Sequence, residues 1–329
     1  MNTSSLQRRR FVASLAALGA GGLVGAPARA QDGYPSKGPI RVIVPLPAGG
    51  AADATARMVV ASMQAQLKQT FIVENRPGAS YSIAMQAMAQ AAADGYTLIH
   101  INTGMCAAQA ALKKFDLLKT LAPISLMGTM PAILAVPASS PFKSVQELVA
   151  AGAAKPGSLT YGSVGIGSLE HLWTSQFSKR NGLDAVHVPY KGMPEAATAL
   201  ATGEIQYLTP VLAVALPLMQ KGLIRPLALL DNQRHAMLTN LPTLKELGHD
   251  MPPVVFWGGF AAVRGTPAPV IEQLRAGVAA AVVEPDVKAK LIGIGTTAMA
   301  STPQAFESLI AHELGWMSEA VKSANLQLN

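Results

Sequence analysis

From Arg41 to Leu46 the chain is β-branched, apolar after its first residue and bounded by Pro39 and Pro47, which predicts a short buried strand. Directly after it, Ala54, Met58, Met63 and Leu67 recur at four- or five-residue steps and predict an amphipathic helix over 51–68, packed on that strand. The alternation then repeats. Thr70 to Glu74 reads as a second strand closed by the turn cluster Asn75 to Gly78, and Ser80 to Ala92 as a helix with Ile83, Met88 and Ala91 inward. Tyr96 to Ile101 reads as a third strand running into a polar loop, Asn102-Thr103-Gly104. Strand, loop and helix in repeated order predict a parallel α/β sheet, in which ligands bind beyond the carboxyl ends of the strands.

Two apolar runs between Leu121 and Val136, separated by Gly128 and Pro131, predict the first crossing into another domain. Beyond it the pattern gives a helix over 144–153 with Val145, Leu148 and Val149 inward, and a strand end at 159–162. A further helix begins near Ser168 and aligns Leu169, Leu172, Trp173 and Phe177 on one face. Strands at 186–188 and 224–230, helices at 194–202 and 243–247, and the segment 204–208 follow. Val254 to Val263 reads as the return strand. Gly265-Thr266-Pro267 sets up a helix over 268–283 with proline in its first turn, and the remainder to Gln327 reads as largely helical. A chain that leaves one domain and comes back has two crossovers, which is how a hinge is built.

Two loops carry the candidate chemistry. Pro47-Ala48-Gly49-Gly50 joins the first strand to its helix, and Ser163-Val164-Gly165-Ile166-Gly167-Ser168 repeats the arrangement further on. Glycine has no Cβ, so a ligand can approach the backbone closely, and the free N–H groups of a helix's first turn, with its dipole, favour an anion. A tight turn without a ligand accounts for either loop alone. Two of them, one per domain, suggest a cleft between two lobes.

Composition narrows the class. Arg8-Arg9-Arg10, the apolar run from Phe11 to Val24 and the A-x-A site Ala28-Arg29-Ala30 form an export signal; the arginine pair also resembles a twin-arginine signal. The run is shorter than the roughly 20 residues a membrane span needs. The net charge of +7 includes Arg8, Arg9, Arg10 and Arg29, so the chain from Gln31 on is only weakly basic; it has no basic run and few aromatics, which argues against nucleic acid. Cys106 is the only cysteine, so no internal disulfide or cysteine zinc site is expected, and it reads as a small core residue. The six histidines form no HxH or HxxxH pair, and neither a metal nor a cofactor is expected.

With these motifs in order, the sequence resembles the Bug family, the TctC-type receptors of tripartite tricarboxylate transporters, which are periplasmic solute-binding proteins. The matches run nearly the whole length after the signal: the PAGGxxD stretch ending at Asp53, Ala56-Arg57, Glu74 to Ala79, Asp94 to Leu98, Tyr161-Gly162-Ser163 with Gly167-Ser168 and His171-Leu172, Val188 to Gly192, Leu241-Pro242-Thr243 and Gly265-Thr266-Pro267. The resemblance implies an α/β fold of the two-lobed periplasmic-binding-protein type (type II-like), each lobe a mostly parallel sheet flanked by helices. The expected division is a cleaved signal at 1–30, one lobe from 31–131 plus 256–329, and the other from 132–255. It implies a receptor, not an enzyme, that closes over a small carboxylate in the periplasm and delivers it to integral membrane transporter subunits. One carboxylate would be held largely by backbone at Leu46, Ala48, Gly49, Gly50 and Asp53. The second lobe would contribute Ser163, Gly165, Ile166, Gly167, Ser168 and His171, with Tyr190 and Lys191 from its other loop.

The sequence departs from the family pattern in two places. Ser80-Tyr81 stands where the family carries two glycines, so these residues, with Thr103, join the expected site and a phenol projects towards the ligand. Gln206 and Pro210 stand where an acid is common, which points to an aromatic or aliphatic carboxylate without an amino group. Several of these residues have a second reading: Asp53 as a dipole partner in the first helical turn, His171 as a packing or capping residue, Lys191 as a solvated loop lysine and Tyr81 as a surface aromatic. Two rival readings are weaker, and a third, a sensor, is not separated from a transport receptor by the sequence. Ser163 approaches a nucleophile elbow, but Tyr161 replaces its first glycine, and residues 162–167 lack the G-x-G-x-x-G dinucleotide spacing. A sensor signalling to a membrane partner would need the same closing cleft.

Overall fold

The structure, a computed structural model, describes residues 33–323, so the export signal lies outside the described residues. From Pro35 onward the chain forms one compact unit. Its first sheet begins with β1 (Ile40–Val44), followed by helix α1 (Ala51–Leu67), β2 (Phe71–Asn75), α2 (Ser82–Ala89), β3 (Thr97–Asn102), α3 (Thr103–Leu112), the one-turn α4 (Leu117–Thr120) and β4 (Leu121–Pro131). A second group follows: β5 (Ile133–Pro137), α5 (Val145–Ala154), β6 (Leu159–Ser163), α6 (Leu169–Arg180), β7 (Ala185–Pro189), α7 (Met193–Thr202), α8 (Leu212–Gln220) and β8 (Ile224–Leu229). The chain then returns through β9 (Val255–Val263), α9 (Ala268–Val283), α10 (Pro285–Gly293), the short β10 (Thr297–Ala298) and α11 (Pro303–Ser323).

The first sheet has the order β10-β4-β9-β3-β1-β2. The strand-loop-helix order yields the parallel pairs β1·β2 and β1·β3, whereas β9 and β10 lie antiparallel to their neighbours. The reason is connectivity: β9 enters from the second group of strands rather than through a crossover helix from the preceding strand of its own sheet. In that second group β5 pairs antiparallel with β8 and β6 parallel with β7. The segment around Tyr207 and Leu208 bridges the two pairs, facing Tyr161 on one side and Ala135 on the other. The two-lobed α/β class is therefore present, with the chain leaving the first sheet between Pro131 and Ile133 and re-entering at Val254–Val255. At that point the amide of Ala132 donates to the Val254 carbonyl, Val254 to Leu230, and Leu230 back to Ala132.

The buried core runs continuously from Ile43, Ile99 and Ile101 through Leu134 and Val136 to Trp173 and Phe177. Helix α6 contributes the face expected of it, Leu169, Leu172, Trp173 and Phe177, all buried. Cys106 is buried, and that burial pushes its thiol pKa up. Several local expectations are corrected. In α1 the buried face is Ala56, Val59, Val60 and Met63; of the expected positions Met63 is buried, Met58 and Leu67 are half-buried and Ala54 is exposed, because the β-branched valines set the contact stripe. In α2 the core residues are Ala84, Met85 and Met88, and Ile83 is exposed, because the helix begins only at Ser82 after a 3-10 turn. Asn102 closes β3 as the N-cap of α3, so Thr103 and Gly104 open a helix rather than form a loop. Residues 243–247 form turns and no helix, and 212–220 form one instead.

Candidate functional site

A cavity of about 1010 Å3 opens at the carboxyl ends of β1 and β3 and is walled from both groups of strands. From the first come Leu46, Ser80, Tyr81, Asn102, Thr103 and Trp257; from the second come Ile166, Gly167, Ser168, Glu170, Met193 and Val214. Of the residues expected from sequence, Leu46, Ser80, Tyr81, Thr103, Ile166, Gly167 and Ser168 line it. Ala48, Gly49, Gly50, Asp53, Ser163, Gly165, His171, Tyr190 and Lys191 do not.

Asp53 instead ties the first glycine loop together. Its carboxylate accepts the Gly49 amide (2.9 Å), Arg57 Nε (3.0 Å) and Asn75 Nδ2 (2.9 Å), and Asn75 Nδ2 also reaches the Leu46 carbonyl (3.0 Å). Burial pushes this carboxyl upward, but the donors from Arg57, Gly49 and Asn75 outweigh burial and hold it below its ordinary value. The Gly49 amide is therefore committed to Asp53. The orphan donors at the start of α1 are those of Ala51, Ala52 and Asp53, since the first intrahelical bond runs from Ala54 to Gly50.

The second glycine loop is also largely committed to its own bonds. The Gly165 amide donates to Ser163 Oγ (3.0 Å) and the Gly167 amide to His171 Nδ1 (3.1 Å), while Ser168 caps α6 by accepting the His171 amide (3.3 Å). Ser163 Oγ lies 2.6 Å from His187 Nε2, and His187 stacks on His171 with ring centroids 4.0 Å apart. Burial first, and His171 second, lower the His187 pKa to about 4. The pairing of Ser163 with His187 rather than His171 was not legible in sequence, because the two meet only through β6 and β7 in parallel register. In the other loop Tyr190 donates to Glu204 Oε1 (3.0 Å), and exposed Lys191 donates its amide to Glu195 (3.0 Å). Gln206 is bonded to Thr160 (2.8 Å).

Residues 78–81 all have positive φ: Gly78 at 122°, Ala79 at 46°, Ser80 at 49° and Tyr81 at 73°. This turn carries Tyr81 against α3, where a Cβ on Gly104 would stand 2.6 Å from the phenolic oxygen. A side chain there would push the phenol out of this seat. Burial raises the Tyr81 pKa to about 12, with Glu170 adding to it.

Sequence reasoning missed a second set of residues. His100 Nδ1, Asn102 Nδ2, Trp257 Nε1 and Thr296 Oγ1 are buried polar atoms without a hydrogen-bond partner among the described residues, and all four residues line the cavity. His100 is kept neutral by burial, its pKa lowered to about 4. Thr103 is committed, its Oγ1 accepting the Trp257 amide at 2.9 Å. Burying such groups unpaired costs about 1–3 kcal/mol each, so the cluster suits a polar ligand group placed among them. Among the described residues no arginine or lysine lines the cavity, and Glu170 is its one acid. The only signal available in sequence was position, since His100, Asn102 and Trp257 stand on strands at the sheet's ligand-binding end.

Known proteins resemble this chain in sequence and in fold. BugT of Bordetella pertussis is 30% identical over 302 residues, covering 90% of this chain and 92% of its own. The structure of Rpa4515 of R. palustris with adipate is 30% identical, covers 89% of this chain and 99% of that one, and superposes with a TM-score of 0.77. MatC of Rhodopseudomonas palustris with bound malate is 28% identical, covers 86% and 98%, and gives 0.73. The family model described as tripartite tricarboxylate transporter family receptor matches residues 55–326, and the chain belongs to that family.

Proposed function

We propose that the protein captures a small organic carboxylate in this cavity, in the periplasm, and hands it to a membrane transporter. The observation that carries the reading is the set of unpaired polar atoms of Asn102, Trp257 and Thr296, residues of a largely apolar wall in which no lysine or arginine stands among the described residues. Hydrogen-bond donors can hold a carboxylate without an arginine, and the orphan amides at the start of α1 add to them. The apolar remainder suits an aromatic or aliphatic body. Residues 31–131 with 256–329, and residues 132–255, act as lobes that close about the ring formed by Ala132, Leu230 and Val254. Among the described residues no helix is long and apolar enough to cross a membrane.

The ligand carries no amino group. Gln206 is bonded to Thr160 and Pro210 cannot pair with an ammonium, while burial favours the protonated, neutral form of Glu170, which needs no cation. A hydrolase is disfavoured because Ser163 is fully buried and outside the cavity wall, and its partner His187 is a weak base. Thermal-shift measurements with mono-, di- and aromatic carboxylates test the reading, since a ligand at about 100 times its Kd stabilises the folded form by about 2.7 kcal/mol. A melting temperature indifferent to every acid overturns it. Calorimetry showing 6-aminohexanoate bound more tightly than hexanoate overturns the amino-free part alone.

A further inference from the structure

Helix α3 starts without the side-chain cap that its sequence supplies. Its N-cap, Asn102, has the extended backbone usual for capping, yet the carboxamide accepts no amide of the first turn, and Nδ2 is buried without a partner. The first-turn amides, that of Gly104 included, therefore have no acceptor within the helix. Tyr81 meets them from the strained turn at 78–81. A Cβ on Gly104 would stand 2.6 Å from the phenolic oxygen and 3.0 Å from Asn102 Oδ1, so phenol and carboxamide converge over Gly104. All three residues line the cavity. Burial raises the phenol's pKa to about 12 and keeps it protonated, and it makes no hydrogen bond to a described residue.

We propose that the ligand's carboxylate is anchored at the start of α3, by the Tyr81 phenol, the Asn102 carboxamide and the Gly104 amide, with Tyr81 as the decisive donor. The inference rests on the carboxylate-binding reading above and assigns the carboxylate a place within that cavity. A phenol and a backbone amide each offer one proton, and a half-turn of the Asn102 carboxamide brings Nδ2 to the same point. A carboxylate has lone pairs for all three. Left alone, such groups cost about 1–3 kcal/mol each when buried, so the bound acid relieves the site as it fills it. Glu170 acts on the phenol from the second group of strands, but burial favours its protonated form, so it does not repel an anion there. The succession of left-handed residues at 79–81 fits this role, because strain of that kind gathers at ligand clamps.

Titration calorimetry of the full protein with hexanoate, benzoate, adipate and terephthalate tests the assignment. Tyr81→Phe removes only the hydroxyl. It is expected to weaken every acid that the wild type binds by about tenfold or more, at an unchanged or higher ligand-free melting temperature. Because the phenol meets the carboxylate, the loss is expected to agree within about threefold whatever the body of the acid. A Tyr81→Phe protein that binds those acids as tightly as wild type overturns the proposal and leaves the carboxylate reading standing. A loss confined to acids of one body shape overturns it too, since the ring then packs on the body instead. Should Tyr81→Phe not fold, Gly104→Ala, which suits a helix and displaces the phenol, gives the same reading. Silence of the wild type towards all four acids removes both.

Discussion

Asp53 shows how a residue at a family motif position can shape the site without lining the cavity. Its carboxylate gathers the Gly49 amide, Arg57 and Asn75, so the loop that opens the cavity is fixed from behind. Asp53→Ala leaves those donors unpaired and is expected to cost about 2 kcal/mol in urea unfolding. Because the folded carboxyl titrates below its ordinary value, its contribution is present above the unfolded pKa and is lost as pH falls through the folded one. Glu313 has the opposite sign. Buried in α11 and accepting Trp316 Nε1 at 2.8 Å, its carboxyl is raised by burial, against that hydrogen bond, to about 7. Between its ordinary value and about 7 the folded chain holds a proton that the unfolded chain has lost, so stability falls as pH rises through that window. Glu313→Gln keeps an acceptor for Trp316 and removes the titration. Its melting temperature is expected to exceed wild type by about 2–4 °C at pH 8, with the gain vanishing near pH 4.

Among the elements, the turn at 78–81 is the most strained. Left-handed backbone costs a non-glycine residue about 1–2 kcal/mol, and Ala79, Ser80 and Tyr81 adopt it in succession. Strain of this kind persists where the surroundings over-determine it, and here the result is a phenol seated against Gly104 at the cavity edge. Ser80→Gly is expected to stabilise by about 0.5–1 kcal/mol after glycine's own entropy cost, read from the urea midpoint. The turn also marks a limit of legibility. The substitution at 80–81 is plain in the sequence, but a run of four positive φ values is not, because each non-glycine residue locally prefers another conformation. Long periodic elements were easier: 268–283 is a helix over those residues, and 51–68 and 144–153 are right to within a residue at each end. The start of α3 was hidden because Asn102, Thr103 and Gly104 are turn formers whose capping role depends on β9 pairing alongside.

At the scale of the molecule, the departure of the chain from the first sheet and its return at Val254 to Val263 could be inferred from strand spacing and motif order. The antiparallel insertion of β9 between β3 and β4 could not, since pairing partners distant in sequence leave no local trace. The same holds for the site. Its glycine loops were visible as motifs, yet Glu170, His100, Trp257 and Thr296 come together only after both groups of strands have assembled. Binding across such a wall couples its two sides. Hydrogen exchange in saturating hexanoate or benzoate, whichever binds, is therefore expected to slow together at 166–170 and at 256–258, whereas protection on one side alone would contradict closure.

The lone thiol of Cys106, buried in α3 beside Ala107, which lines the cavity, gives the chain a built-in clock. A maleimide dye in solution can modify it only during excursions that expose the helix, so the labelling rate counts those excursions. Cargo that dwells between the lobes should slow that count in proportion to its occupancy, without any engineered reporter.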